Sequence, residues 1–272
     1  MKIAVVTWTL GITAPEQVLA KAVALGLDAI QYSGDHRDVC PVNLREQARQ
    51  AGIAILAVDP INGGPQDPAQ ATPEDALAYY RKVVDFAAAL GNVPVTLQGL
   101  SLWTRNCPDT ASARARLLAC CKAIDAYAQA RGVPTLYEPC NHFELPLINT
   151  AAQCRALIRE VGGENLRMVL DSFHMNINEP DPLQTLRDHA GLTAIYHISD
   201  SGRGGIGSGH IDFQAQHQAL MANGFAGDVS IELVLPQLLP GQSPVSEADM
   251  LVLDAQVRDS ARSWRGYFTA MR

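Results

Sequence analysis

The sequence contains no uninterrupted apolar stretch approaching the ~20 residues that cross a bilayer, so no membrane-spanning helix is expected. Positive charge is scarce as well: 21 Lys and Arg against 28 Asp and Glu give a formal net charge of −7. That is the wrong sign for a phosphate backbone or an anionic lipid surface, which argues against nucleic acid and membrane and for a small neutral partner. No GxGxxG follows the first apolar run and no GxxxxGK[ST] occurs anywhere, so dinucleotide and P-loop chemistry lack their phosphate cradles. Six cysteines, Cys40, Cys107, Cys120, Cys121, Cys140 and Cys154, have no framework spacing, and reduced thiols are the expected state. The opening MKIAVVTWTLG has one lysine and no small-residue cleavage site after its apolar run. It reads as a first strand and not as a signal, and a cytoplasmic location is expected.

What is present is an alternation that runs from end to end. Eight short apolar runs, IAVVT (3–7), DAIQY (28–32), IAILAV (53–58), VPVTLQ (93–98), VPTLYE (133–138), RMVLD (167–171), TAIYHIS (193–199) and DVSIEL (228–233), are separated by longer segments of helical spacing. The runs are apolar on both faces, as parallel strands covered by helices outside and side chains inside must be. Helix starts are signalled by Thr13-Ala-Pro-Glu16, Thr72-Pro-Glu-Asp75 and Thr150-Ala-Ala-Gln153, each with a hydroxyl three residues before an acid or amide. A fourth helix carries Leu117, Cys121, Ile124 and Ala128 on one face and stops at Gly132. No linker, low-complexity tract or charge block divides the 272 residues. The α/β pattern therefore predicts a single (β/α)8 barrel over 1–272, with an open doubly wound sheet as the alternative. The glycine-rich stretch 202–209 is read as a mobile loop.

In such a barrel function sits at the C-terminal strand ends. The last four strands end in Glu138, Asp171, His197 and Glu232, all metal-ligand types. Any one of them could be a structural hydrogen-bond acceptor. Four together would leave buried carboxylates repelling one another unless a cation compensated them. Three carboxylates and one imidazole suit one hard or borderline divalent ion, Mn²⁺ first, with Co²⁺ or Mg²⁺ as alternatives, more than zinc. Glu138 and Glu232 would approach from opposite sides, able to remove a proton from one face of a carbon beside a carbonyl and return one to the other. Trp8 and Trp103, after the first and fourth strands, are candidate apolar walls of a substrate pocket.

The segments LYEPCNHFE (136–144), LDSFHMNINE (170–179), YHISDSGRGGIGSGHIDF (196–213) and SIEL (230–233) carry a resemblance. The chain resembles the xylose-isomerase-like barrel superfamily of sugar isomerases and epimerases, and within it the ketose 3-epimerases of the tagatose and psicose (allulose) type. The resemblance implies a sugar substrate, metal ligation by Glu138, Asp171, His197 and Glu232, and acid/base roles for Glu138 and Glu232. It also implies that Glu144, His174 and Arg203 hold the sugar's oxygens near the reacting carbons. Two departures stand out: His142 where an arginine is usual, and Gly204-Gly-Ile-Gly207 in place of a proline-containing turn.

Related activities are the rivals: an aldose–ketose or hydroxypyruvate isomerase, or a sugar or inosose dehydratase, since all begin by abstracting a proton beside a carbonyl. An apurinic-site endonuclease of the same superfamily needs three metals and extra histidines, where this chain has Gln31-Tyr32, Asp59, Gln98 and Arg203; His36 and His210 are the only spare candidates for those ligands, and both read as loop residues. Its polyanionic substrate would also meet an acidic protein. A non-catalytic binding barrel has no need of paired glutamates. A homo-oligomer, dimer or tetramer, is compatible with these readings.

Overall fold

Each of the eight apolar runs holds one strand. The computed structural model describes residues 1–61, 63–238, 242, 244 and 246–270. The strands are β1 (Ile3–Val6), β2 (Ala29–Tyr32), β3 (Ala54–Val58), β4 (Val95–Thr96), β5 (Thr135–Tyr137), β6 (Leu166–Asp171), β7 (Thr193–Ile198) and β8 (Asp228–Ile231). Neighbours in sequence pair in parallel, and β8 closes on β1, giving the expected closed barrel. Helices α1 (Pro15–Ala24), α2 (Pro41–Ala51), α3 (Pro73–Ala89), α4 (Thr110–Gln129), α5 (Ala151–Val161), α6 (Ser172–Asn178), α7 (Pro182–His189), α8 (Phe213–Ala222) and α9 (Glu247–Ala270) lie between and after them. No helix among the described residues is long and apolar enough to cross a membrane. All six cysteines are free thiols.

Two of the three predicted caps form. Thr72 accepts from the Asp75 amide, and Thr150 and Gln153 make a reciprocal capping box. Thr13 does not cap α1: Pro15 takes the first helical position, which its fixed φ favours, so the cap falls on Ala14. Leu117, Cys121, Ile124 and Ala128 of α4 are buried as one face. Beyond the helix Gly132 turns back at φ 68°, a conformation that costs a residue with a Cβ.

The period of two along a strand sorts the side chains. Val5, Ile30 and Val58 face the helices, while Ala4, Ala29, Ala57, Leu136, Val169 and Ile195 form a separate apolar plug inside the barrel. Two residues further along, the same inward register delivers Gln31, Asp59, Glu138, Asp171 and His197, with Glu232 two beyond Ser230. The apolar plug is thus capped by a polar layer at the C-terminal rim.

The glycine-rich stretch differs from the expected mobile loop in being tied down. Asp200 accepts backbone hydrogen bonds from Ser201, Gly207 and Ile211 at 2.7, 3.0 and 3.1 Å. The amides of Gly205 and Ile206 donate to Gln256 Oε1 and Ser260 Oγ on α9. A Cβ on Gly205 would lie 2.7 Å from Ser260 Oγ, so the run of glycines in place of a proline-containing turn lets the loop seat on this helix.

Candidate active site

Glu138, Asp171, His197 and Glu232 converge, each at most 5% exposed. His197 Nδ1 lies 3.2 Å from Glu138 Oε1, 3.2 Å from Glu232 Oε2 and 3.9 Å from Asp171 Oδ2, so the two glutamates flank one imidazole as the strand order requires. A second histidine joins them: ligand atoms of Glu138, Asp171, His174 and Glu232 all lie within 4.8 Å of one another. His174 reaches the cluster because Asp171 Oδ1 accepts from the amides of Phe173 and His174 and so starts α6 directly at the end of β6.

Hydrogen bonds on the far side of each ring separate the two histidines. The Asn141 amide donates to His174 Nδ1 at 2.9 Å, which leaves the proton on Nε2, the nitrogen 3.9 Å from Glu138. His197 does the reverse: Nε2 donates to Gln31 Oε1 at 2.8 Å, and Nδ1 faces the carboxylates, bonding Glu232 Oε2 at 3.2 Å while the ring is charged and offering a lone pair once an ion replaces that proton. His174 is thereby a donor and His197 a potential ligand. The three buried carboxylates, with Glu138 Oε1 buried without a hydrogen bond, fit a divalent cation; the four-residue group whose ligand atoms lie closest together takes its imidazole from His174, and His197 Nδ1 borders the same carboxylates at 3.2 to 3.9 Å.

Electrostatics agree with that fit. Burial, reinforced by the charges of Glu232 and Glu138, pushes Asp171 up to about 8. Burial also raises Glu138, against the pull of His197. For Glu232 burial is outweighed by His197 and Arg203, which hold its carboxyl down at about 2. Burial and Arg203 keep His174 neutral, near 3. In His197 burial opposes the charge but loses to Glu138 and Glu232, so its pKa stands well above the usual histidine range. The protein alone compensates the carboxylates by charging that imidazole; a cation among them would do so instead.

A cavity of about 500 Å³ opens over the cluster, walled by Trp8, Glu144, His174 and Arg203 among others. Arg203 Nη1 pairs with Glu144 Oε1, its Nη2 lies 3.8 Å from Glu232 Oε2, and its guanidinium sits 4.9 Å from the Phe173 ring centroid. Trp8 lines this cavity, and its indole N–H donates to Glu232 Oε1 at 3.0 Å. Trp103 is not: the chain leaves β4 in a 3-10 turn over Gln98–Thr104, which points Gln98 and Leu102 at the cavity and buries Trp103 on the other side, where its N–H bonds the Gly63 carbonyl at 2.6 Å. His142 lies outside the cavity, exposed beside Asn178 with its ring tilted against Phe143. His210 bonds Asn176 at the surface, and neither it nor His36 joins the cluster. A neighbouring cavity of about 450 Å³ between the ends of β1 and β2 shares Trp8 and Ile61 but none of the carboxylate cluster.

Sequence reasoning registered Gln31, Asp59 and Gln98 only as positions lacking a histidine. Here Gln31 orients His197, and Gln98 Nε2 lies 3.0 Å from Asp59 Oδ1 and 3.4 Å from Glu138 Oε2. The signal that could have found them is the inward register, one layer above the alanines of β2 and β3.

Comparison with known proteins gives the same architecture an ancestry. The chain is 34% identical over 227 residues to an L-ribulose 3-epimerase of Mesorhizobium japonicum, covering 80% of this chain and 74% of that protein. It is 28% identical over 227 residues to a D-psicose 3-epimerase of Agrobacterium fabrum, covering 79% and 77%. A solved L-ribulose 3-epimerase superposes with a TM-score of 0.80 at 25% identity, covering 99% of this chain and 97% of the other. The family model described as the xylose isomerase-like TIM barrel matches residues 19–256, a span that takes in every member of the carboxylate cluster. By that match, and by the barrel that carries it, the chain belongs to the xylose isomerase-like TIM barrel family.

Proposed function

We propose that this protein is a divalent-metal-dependent ketose 3-epimerase. The two relatives named above are 3-epimerases of L-ribulose and D-psicose, an isomerase class, and the observation that carries the reading here is the pair of buried glutamates, each 3.2 Å from the same imidazole nitrogen. Glu138, Asp171, His197 and Glu232 would hold the ion, Mn²⁺ by preference of an oxygen-rich set, with Co²⁺ or Mg²⁺ as alternatives. When bound, a divalent ion supplies polarisation of the carbonyl and the neighbouring hydroxyl, which acidifies the C–H between them. One glutamate takes the C3 proton, and the electron pair left behind delocalises into an enediolate. The other glutamate returns a proton to the opposite face, so the configuration at C3 inverts. His174 donates through Nε2, Arg203 donates from its buried guanidinium, and Glu144, held by Arg203 and Asn141, accepts; together they anchor the carbonyl end of the sugar. Trp8 donates its indole N–H to Glu232 Oε1 and so fixes the orientation of that carboxylate.

The test is a panel of ketoses incubated with the Mn²⁺-loaded protein in D₂O and followed by NMR. Deuterium should appear at C3 of both the recovered ketose and its epimer. Aldose formation with label confined to C1 or C2 would replace this reading with an aldose–ketose isomerase.

A further inference from the structure

Between the ends of β3 and β4 lies a side chamber of about 130 Å³, bounded by Asp59, Gly63, Tyr80, Gln98, Gly99 and Leu102 among others. Asp59, Gln98 and Leu102 are walls of the main cavity too, and the Gln98 amide 3.4 Å from Glu138 puts the chamber one side chain away from the carboxylate cluster. Both side-chain hydrogen bonds of Asp59 go to a single oxygen: Oδ1 accepts from Thr96 Oγ1 at 2.5 Å and from Gln98 Nε2 at 3.0 Å. The carboxylate is thereby fixed in orientation, and among the described residues Oδ2 has no hydrogen-bond partner, on a side chain that lines both cavities.

The inner wall adds two buried polar atoms that have no partner among the described residues, the Tyr80 hydroxyl and Gln98 Oε1. Tyr80 is fully buried, and its hydroxyl fills a notch that two glycines leave: a Cβ on Gly63 would lie 2.8 Å from it, and one on Gly99 closer still. Native interiors rarely leave such groups unpaired. Two acceptors and a phenol around a small chamber match one ligand chemistry, a primary alcohol.

We propose that Asp59, supported by Gln98 and Tyr80, is a specificity-determining residue that takes the terminal hydroxymethyl group of the ketose; this rests on the epimerase reading above. Glu144, His174 and Arg203 anchor the carbonyl end from the β5, β6 and β7 side, so the remaining carbons run toward β3 and β4, where Asp59 waits. A terminal phosphate would set its charge against Asp59, with Glu138 and Glu232 close behind, so the site selects the free sugar. The competing recogniser is Arg105, an exposed cation on the wall of the main cavity that would favour the phosphate ester.

The experiment compares wild type, Asp59→Asn and Tyr80→Phe on three substrates: the ketose turned over best in the panel above, its terminal-deoxy analogue and its terminal phosphate ester. kcat/KM is read from C3 deuterium incorporation with Mn²⁺. Wild type should lose about tenfold or more on the deoxy analogue, the cost of leaving buried polar groups unpaired. Each variant should lose at least about fivefold more on the parent ketose than on the deoxy analogue, and Asp59→Asn should narrow the discrimination against the phosphate ester. A merely structural role, or partial unfolding, lowers all three substrates alike and overturns the assignment. So does wild type turning over the parent and deoxy sugars equally, and a preference for the phosphate ester would transfer the distal end to Arg105. C3 exchange with no ketose at all would remove the epimerase reading and this site with it; C3 exchange without distal discrimination removes the site alone.

Discussion

A proton's position separates the two histidines at the site, and an uncharged glutamine sets one of them. Gln31 Oε1 accepts a hydrogen bond from Nε2 of His197 and so aims Nδ1 at the carboxylates, the nitrogen left to bind an ion. Replacing Gln31 by Met keeps the volume and removes that acceptor; calorimetric titration with Mn²⁺ should then show affinity about 10–100-fold weaker, the usual cost of losing a ligand's orienting partner. Unchanged affinity would mean that packing alone orients the ring. Glu232 carries a different burden. Glu232→Gln retains an oxygen for the Trp8 indole and for an ion but cannot accept a proton, so kcat should fall at least about a hundredfold while sugar binding persists. A near-normal rate would make this carboxylate structural. Glu138, Asp171, His197 and Glu232 were legible in the sequence because ligand-type residues end four consecutive strands, a conjunction that a lone polar strand end does not offer. Gln31 and Asp59 were not, since an amide or acid at a strand end acquires its role from the neighbour it faces. Trp103 was misplaced for the same reason: nothing local records which side of a 3-10 turn a residue occupies.

At the level of elements, the loop between β7 and α8 is the part with the most at stake. Arg203 sits at φ 64°, a left-handed conformation unfavourable to a side-chain-bearing residue, held by its amide to the Asp200 carbonyl and by the Val234 amide to its own carbonyl, both at 2.7 Å. Asp200 is fully buried and its carboxylate collects three backbone amides of the same loop. Asp200→Ala strands those amides, so stability should fall by about 2 kcal/mol or more. KM for the sugar should rise as Arg203 loses its frame. A denaturation midpoint equal to wild type would show that α9 alone seats the loop. Strands were the most legible elements, because a strand buried on both faces must read as an unbroken apolar run. Helix α6 left no trace: its seven residues are too few to display a period, and what starts it is the Asp171 side chain, already counted as a ligand. Thr13 was misread as a cap because the preference of Pro15 for the first helical position outweighed the hydroxyl two residues earlier.

For the molecule as a whole, closure of the barrel is what turns four separate strand ends into one centre. β5 to β8 are consecutive in the ring, so their inward residues one layer above the apolar plug have nowhere to go but toward each other, and three of the four are carboxylic acids. An ion that binds this arrangement and not the unfolded chain must stabilise the fold by mass action, by about 2.7 kcal/mol when free metal stands at a hundred times its dissociation constant. For a chain of this length that corresponds to a melting temperature roughly 5–10 °C higher with metal than without. Chelation should therefore abolish activity and lower the melting temperature together, and Mn²⁺ should restore both. In Asp171→Asn, which removes one anionic ligand from the centre, the chelator-induced shift should shrink toward zero, since there is less bound metal to lose. Elemental analysis should find one divalent ion per chain; three tightly held zinc ions would refute the mononuclear centre. A wild-type melting temperature indifferent to verified metal removal would mean that the ion does not distinguish the folded barrel from the unfolded chain, and that β5 to β8 are held together by their ladders and apolar plug alone.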